Sequence, residues 1–152
     1  MYLASTGNGY SLAMLFEDQA KRTPDNVAVV FEDLQFTYAQ IQLLSNRVAN
    51  WAHNQGLKKG DVVALMMENR PEFIITWLGL AKIGVITAFI NYRLHGPSLA
   101  HVLNISEASV YVVGVELLET FKRVRSNEPN LFVYVGESFR NHNFPVILIL
   151  KC

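Results

Sequence analysis

The chain has 152 residues, 51% of them hydrophobic, and its 13 basic and 13 acidic side chains balance to a formal charge of zero. That length suits one domain with an ample core, and the neutral balance gives no electrostatic case for a nucleic acid or an anionic bilayer as partner. A single cysteine, Cys152, excludes an internal disulfide and any cysteine-rich metal site.

The opening residues, 1–10, carry neither a basic region nor an apolar core, so they do not read as a signal peptide and are expected to be disordered. Leu12, Leu15, Phe16, Gln19 and Ala20 then fall on one helical stripe, with Ser11 placed to cap it and Pro24 beyond its end. Val27–Phe31 and Leu34–Thr37 are short β-type runs joined through Glu32-Asp33 as a hairpin. Thr37, with Gln40 three residues later, forms a capping box for the next helix. In that helix Ile41, Leu44, Val48, Trp51 and Gln55 recur at three-to-four spacing, and Gly56 supplies the stop.

After the solvated turn Lys58-Lys59-Gly60-Asp61 comes Val62–Met67, six apolar residues in a row. So short a run reads as a strand covered on both faces. Pro71 suits the first turn of a helix, where its missing N–H has no partner to lose, and the helix runs to about Ile83 before Gly84 ends it in a left-handed conformation. Val85–Ile90 is the second apolar run, so the unit is strand–helix–strand with the two strands parallel and adjacent. The stretch Ile74–Ile90 reads as a buried helix plus strand rather than a membrane span, because its length is at the bottom of the spanning range and Lys82 would sit near mid-bilayer at a cost of about 2.5–3.5 kcal/mol. A membrane-embedded lipid carrier is disfavoured on the same ground.

Beyond Asn91 the alternation continues with a helix over Pro97–Ile105, in which Leu99, Val102 and Leu103 are buried. A strand at Val110–Val113, a helix at Val115–Val124 and a strand at Leu131–Val135 follow. This order predicts an α/β fold, a partial doubly wound parallel sheet with flanking helices. The domain is expected over residues 11–140, with 141–152 a divergent tail whose run Val146–Leu150 resembles a strand at an exposed edge.

Chemistry is far less visible. Gly7-Asn8-Gly9 has no preceding strand and no third glycine, so it is no phosphate loop, and neither GxxxxGK[ST] nor GxSxG occurs. His53, His95, His101 and His142 each lack a second ligand at metal spacing, and Cys152 lacks a basic partner. Glu68, Arg70 and Glu72 surround the turn at the carboxyl end of the first buried strand, where open α/β sheets gather ligands. Arg70 reads either as an anion contact or as half of an ion pair at a helix N-terminus. Asn91-Tyr92-Arg93 leaves the second strand at the same edge and shares both readings, and His101 reads as a cleft or a surface residue. Asn104-Ile105-Ser106 matches a glycosylation acceptor, a pattern common by chance. No residue is assigned as catalytic, cofactor-binding or metal-binding.

Phe36-Thr37-Tyr38, Asn46-Arg47-Val48-Ala49 and Gly56 through Gly60-Asp61-Val62-Val63-Ala64 resemble the opening of the adenylate-forming acyl-CoA synthetases, the AMP-binding superfamily. Glu68-Asn69-Arg70-Pro71-Glu72-Phe73, Trp77-Leu78-Gly79-Leu80-Ala81-Lys82-Ile83-Gly84 and Ala88-Phe89-Ile90-Asn91 are similar to segments of its fatty acid transport protein branch, the very-long-chain acyl-CoA synthetases. The likeness covers roughly Leu12–Gly136 and implies the N-terminal part of the large domain. It also implies a two-step reaction, in which a fatty carboxylate attacks the α-phosphate of ATP-Mg and coenzyme A then displaces AMP. The superfamily's threonine- and glycine-rich phosphate loop, ribose-binding aspartate, hinge and adenylation lysine are not found here, nor is the branch's N-terminal membrane segment. The resemblance therefore implies a partial chain that is inactive alone and binds no cofactor itself. ATP, Mg, coenzyme A and fatty acid belong to the full-length relative, at the cytosolic face of the endoplasmic reticulum or plasma membrane. Two alternatives stand beside it: a non-catalytic interaction module, associating for instance with a full-length synthetase, and an independent nucleotide-binding α/β domain.

Overall fold

The computed structural model describes residues 11–126, 131–135 and 146–149. Gly7-Asn8-Gly9, His142, Cys152 and most of the expected tail lie outside them, as does the expected disorder of residues 1–10. The elements are α1 (Leu12–Arg22), β1 (Val27–Phe31), β2 (Leu34–Thr37), α2 (Tyr38–Asn54), β3 (Val62–Met66), α3 (Pro71–Lys82) and β4 (Ile86–Phe89). There follow α4 (Gly96–Ile105), β5 (Val110–Gly114), a 3-10 turn (Val115–Leu117), α5 (Leu118–Lys122), β6 (Leu131–Val135) and β7 (Val146–Ile149).

β1 and β2 form the antiparallel hairpin, while the other five strands make one sheet in the order β4-β3-β5-β6-β7. β3 lies between β4 and β5 and is parallel to both, with Val63 opposite Thr87 on one side and Val110 on the other. The period-two alternation of a strand divides the core. Val63, Leu65 and Met67 pack with Leu80 of α3 and Ala52 of α2. Ala64 and Met66 pack with Leu99 and Leu103 of α4 and with Phe121 of α5. Because both faces are covered, β3 is apolar throughout, and helices on opposite faces make the sheet doubly wound.

The helix ends follow local chemistry. Ser11 accepts from the Met14 N–H, and the Thr37–Gln40 capping box is complete in both directions at 3.3 and 2.8 Å. Pro71 opens α3, and Gly84 has φ +75° beyond its end. Gly79 lets α2 and α3 meet, because a β-carbon there would stand 2.5 Å from Cβ of Val48.

The second apolar run is, as expected, a strand parallel to β3 and beside it; among the described residues it is the outer strand on that side, and half-exposed Phe89 lays its ring against Phe73 and Trp77 of α3. Three expectations are corrected. In α1 the inward stripe is Ala13, Phe16 and Ala20, while Leu12 and Leu15 are about half exposed at 47% and 52%. The helix expected over Val115–Val124 is a 3-10 turn followed by the short α5, since the chain must turn sharply off β5. The last apolar run pairs with β6 antiparallel, so the sheet is mixed at that side.

Candidate functional site

In a doubly wound sheet, ligands collect outside the carboxyl ends of two neighbouring strands whose following connections run in opposite directions. Here that pair is β3 and β5: α3 carries the chain from β3 to β4, and α5 carries it from β5 the other way to β6. The residues leaving β3 are Met67 to Arg70, and those leaving β5 begin the 3-10 turn with Val115 and Glu116.

Glu116 spans this crevice. Its Oε1 accepts the backbone N–H of Glu68 at 3.1 Å, and its Oε2 lies 3.1 Å from Nη2 of Arg70. The pairing is Coulombic, for neither Nε nor Nη2 of Arg70 reaches hydrogen-bond geometry. Both side chains are largely enclosed, Arg70 at 17% and Glu116 at 25% exposure, so the attraction is less screened than at an open surface. Gly114 makes the room: a β-carbon there would overlap the Glu116 carboxylate.

Glu72, in the first turn of α3, is the third member and is buried. Its Oε2 is 3.9 Å from Nε of Arg70. Burial pushes its carboxyl above the usual range; a backbone hydrogen bond and Arg70 pull it down, and Glu116 pushes it up again. Of the two readings of Arg70, the structure therefore favours the ion pair. Glu116 had no signal in the sequence, since a lone glutamate in an apolar stretch has no spacing to mark it.

An apolar hollow of about 350 Å³ lies between β1 and the start of α3, with Asn69 and Arg70 at its rim. On the other side of β3, Asn91 Oδ1 accepts from the Arg93 N–H at 3.0 Å, and the Arg93 guanidinium sits 5.6 Å from the centre of the Tyr92 ring. This turn follows β4, the neighbour of β3 on the side away from β5. His53 on α2, His95 at the N-cap of α4 and His101 within α4 are exposed, and among the described residues no three histidine, cysteine or acidic side chains gather as a metal site. Asn104 and Ile105 are exposed at the end of α4.

The fold and the crevice define a class: a parallel α/β unit whose sheet is open at its carboxyl edge. Within that class the AMP-binding enzyme family model matches residues 16–142. The chain belongs to that family. It is 38% identical over 137 residues to a crotonobetaine/carnitine–CoA ligase of Salmonella paratyphi A, covering 85% of this chain and 26% of that protein. It is 37% identical over 115 residues to long-chain fatty acid transport protein 6 of Mus musculus, covering 75% of this chain and 19% of that protein. Among solved structures it resembles an anthranilate CoA ligase in complex with anthranoyl-AMP, with a TM-score of 0.74 and 26% identity over 82% of this chain and 24% of that one. The chain thus spans about a quarter of the length of the relatives it matches. No helix among the described residues is long and apolar enough to cross a membrane.

Proposed function

We propose that this chain supplies the structural half-sheet of an ATP-dependent acyl-CoA ligase acting on long-chain fatty carboxylates, and that it performs neither half-reaction alone. The observation that carries the reading is the Arg70–Glu116 ion pair at the switch point. Arg70 is the cation placed there, and it is already neutralised, with Glu72 and the exposed Glu68 adding further negative charge nearby. Those residues do not fit a nucleotide triphosphate, which needs donors and cations facing it. ATP, Mg and coenzyme A therefore belong to groups elsewhere in an intact ligase. The long-chain preference is supported by the likeness to the mouse transport protein. A cytosolic-face location at the endoplasmic reticulum or plasma membrane is part of the same reading.

The test is pyrophosphate release by the purified chain with ATP-Mg, palmitate and coenzyme A. The expected result is no release above a blank without enzyme; turnover that depends on palmitate would overturn the reading. Saturable ATP binding by the chain would instead favour an independent nucleotide-binding domain.

A second reading has its own support. β4 is the outer strand on its side of the sheet among the described residues, and Phe89 on it is 50% exposed. Such an edge favours association with another polypeptide, for example a full-length synthetase. Co-elution of the two on size exclusion, lost with Phe89→Lys, is the expected outcome of that association.

A further inference from the structure

Lys82, the last residue of α3, has no part in the switch-point cluster. It is half-buried, and its Nζ donates to Oε1 of Gln42 on α2 at 2.9 Å. It lines a cavity of about 390 Å³ between α1, α2 and α3. Asn46 and Asn50 border the cavity and are exposed, so it opens to solvent, while Ala13, Met14 and Ala49 give it an apolar part.

We infer that Lys82 is an acylation site that takes its acyl group from an acyl thioester. In this step the lone pair of the neutral amine attacks the thioester carbonyl, a C–N bond forms and the C–S bond breaks. The nitrogen loses one proton, the departing thiolate gains one, and the products are an amide and a free thiol. No oxidant or reductant is needed.

Three observations support the site. Gln42 is a neutral acceptor, so it accepts from amine and ammonium alike and does not hold the extra proton as a carboxylate would. Burial pushes the amine below the usual lysine range; the Glu17 carboxylate pulls it back up, and the Lys21 ammonium pushes it down. Glu17 is itself engaged with Lys21 at 3.1 Å, which leaves less of its charge for Lys82. The apolar part of the cavity then accommodates a short acyl group, and loss of the ammonium removes the cost of burying a charge. The inference does not depend on the ligase reading, since it requires a thioester and not ligation by this chain.

The experiment is incubation of the 152-residue chain with acetyl-CoA near neutral pH, followed by site-by-site mass spectrometry. Acetylation of Lys82 is expected to exceed that of exposed Lys58 and Lys59 by about threefold or more, since each unit of pKa depression gives about tenfold more neutral amine. In urea the preference is expected to vanish. Labelling of Lys82 at or below the level of Lys58 in the folded chain would overturn the inference, as would a preference that survives unfolding. Glu17→Gln is expected to raise labelling at Lys82 and leave Lys58 unchanged; a fall at Lys82 would count against the site.

Discussion

Oε2 of Glu116 lies 3.1 Å from Nη2 of Arg70, and the two residues arrive from different strands. Through that contact and its bond to the Glu68 N–H, one carboxylate ties the exit of β5 to the exit of β3. Glu116→Gln would leave an enclosed guanidinium facing only the Glu72 carboxyl, 3.9 Å from its Nε. The expected cost is about 1–3 kcal/mol of stability, read as a lower urea midpoint. Gly114→Ala acts on the same carboxylate through the overlap of its new β-carbon. The two losses are therefore expected to be less than additive in the double variant, and full additivity would show that Gly114 serves something else.

Glu72 makes stability depend on pH in a definite direction. Its folded-state pKa is raised above the ordinary 4.5, first by burial, then by Glu116, against the pull of a backbone hydrogen bond and Arg70. A raised pKa means that the folded state holds its proton more tightly than the unfolded chain does. The contribution is fully present below the ordinary value and is lost as pH rises through the folded value. Glu72→Gln has no such loss. Its stability relative to the parent chain is expected to increase between about pH 4 and about pH 7, compared through urea midpoints at each pH. A relative stability that falls over that interval would contradict the burial argument.

The places where the sequence could be read share a physical cause, and so do the places where it could not. β3 was legible because burial on both faces demands an unbroken apolar run, and Thr37 with Gln40 because a capping box is a local pattern. The stripe of α1 was legible only in part: Phe16 and Ala20 do face the core, but Leu12 and Leu15, which outweigh Ala13 in hydrophobicity, are half exposed while Ala13 is buried. Arg70 was legible as a residue at the strand exit, but its role was not, because its partner lies 46 positions away in the 3-10 turn that follows a separate strand. Contacts that depend on topology leave no spacing to find. The antiparallel β7 is a similar case, since an apolar run carries no sign of direction.

Gly79 tests the packing of α2 on α3. A β-carbon there would stand 2.5 Å from Cβ of Val48 and 2.7 Å from the backbone oxygen of Ser45. Neither atom is the free end of a flexible side chain, so Gly79→Ala must part the helices. Alanine has the higher helix propensity by about 1 kcal/mol, which opposes the clash. Overpacking typically costs about 1–3 kcal/mol, so a net destabilisation is expected in urea unfolding. A stabilised variant would mean that the helices separate at little cost.

Thr76 offers the opposite sign on the same helix. Its side chain is fully enclosed at 0% exposure, and its hydroxyl oxygen has no hydrogen-bond partner. A hydroxyl removed from water without a replacement bond costs about 1–3 kcal/mol in protein interiors. Valine has nearly the same shape, shares the β-branch and has a similar helix propensity, so neither packing nor backbone preference opposes the exchange. Thr76→Val is therefore expected to raise stability by about 1 kcal/mol, seen as a higher urea midpoint with an unchanged slope. A loss of stability would show that the hydroxyl is satisfied in solution, by a water within α3 or by a shift of the helix toward α2.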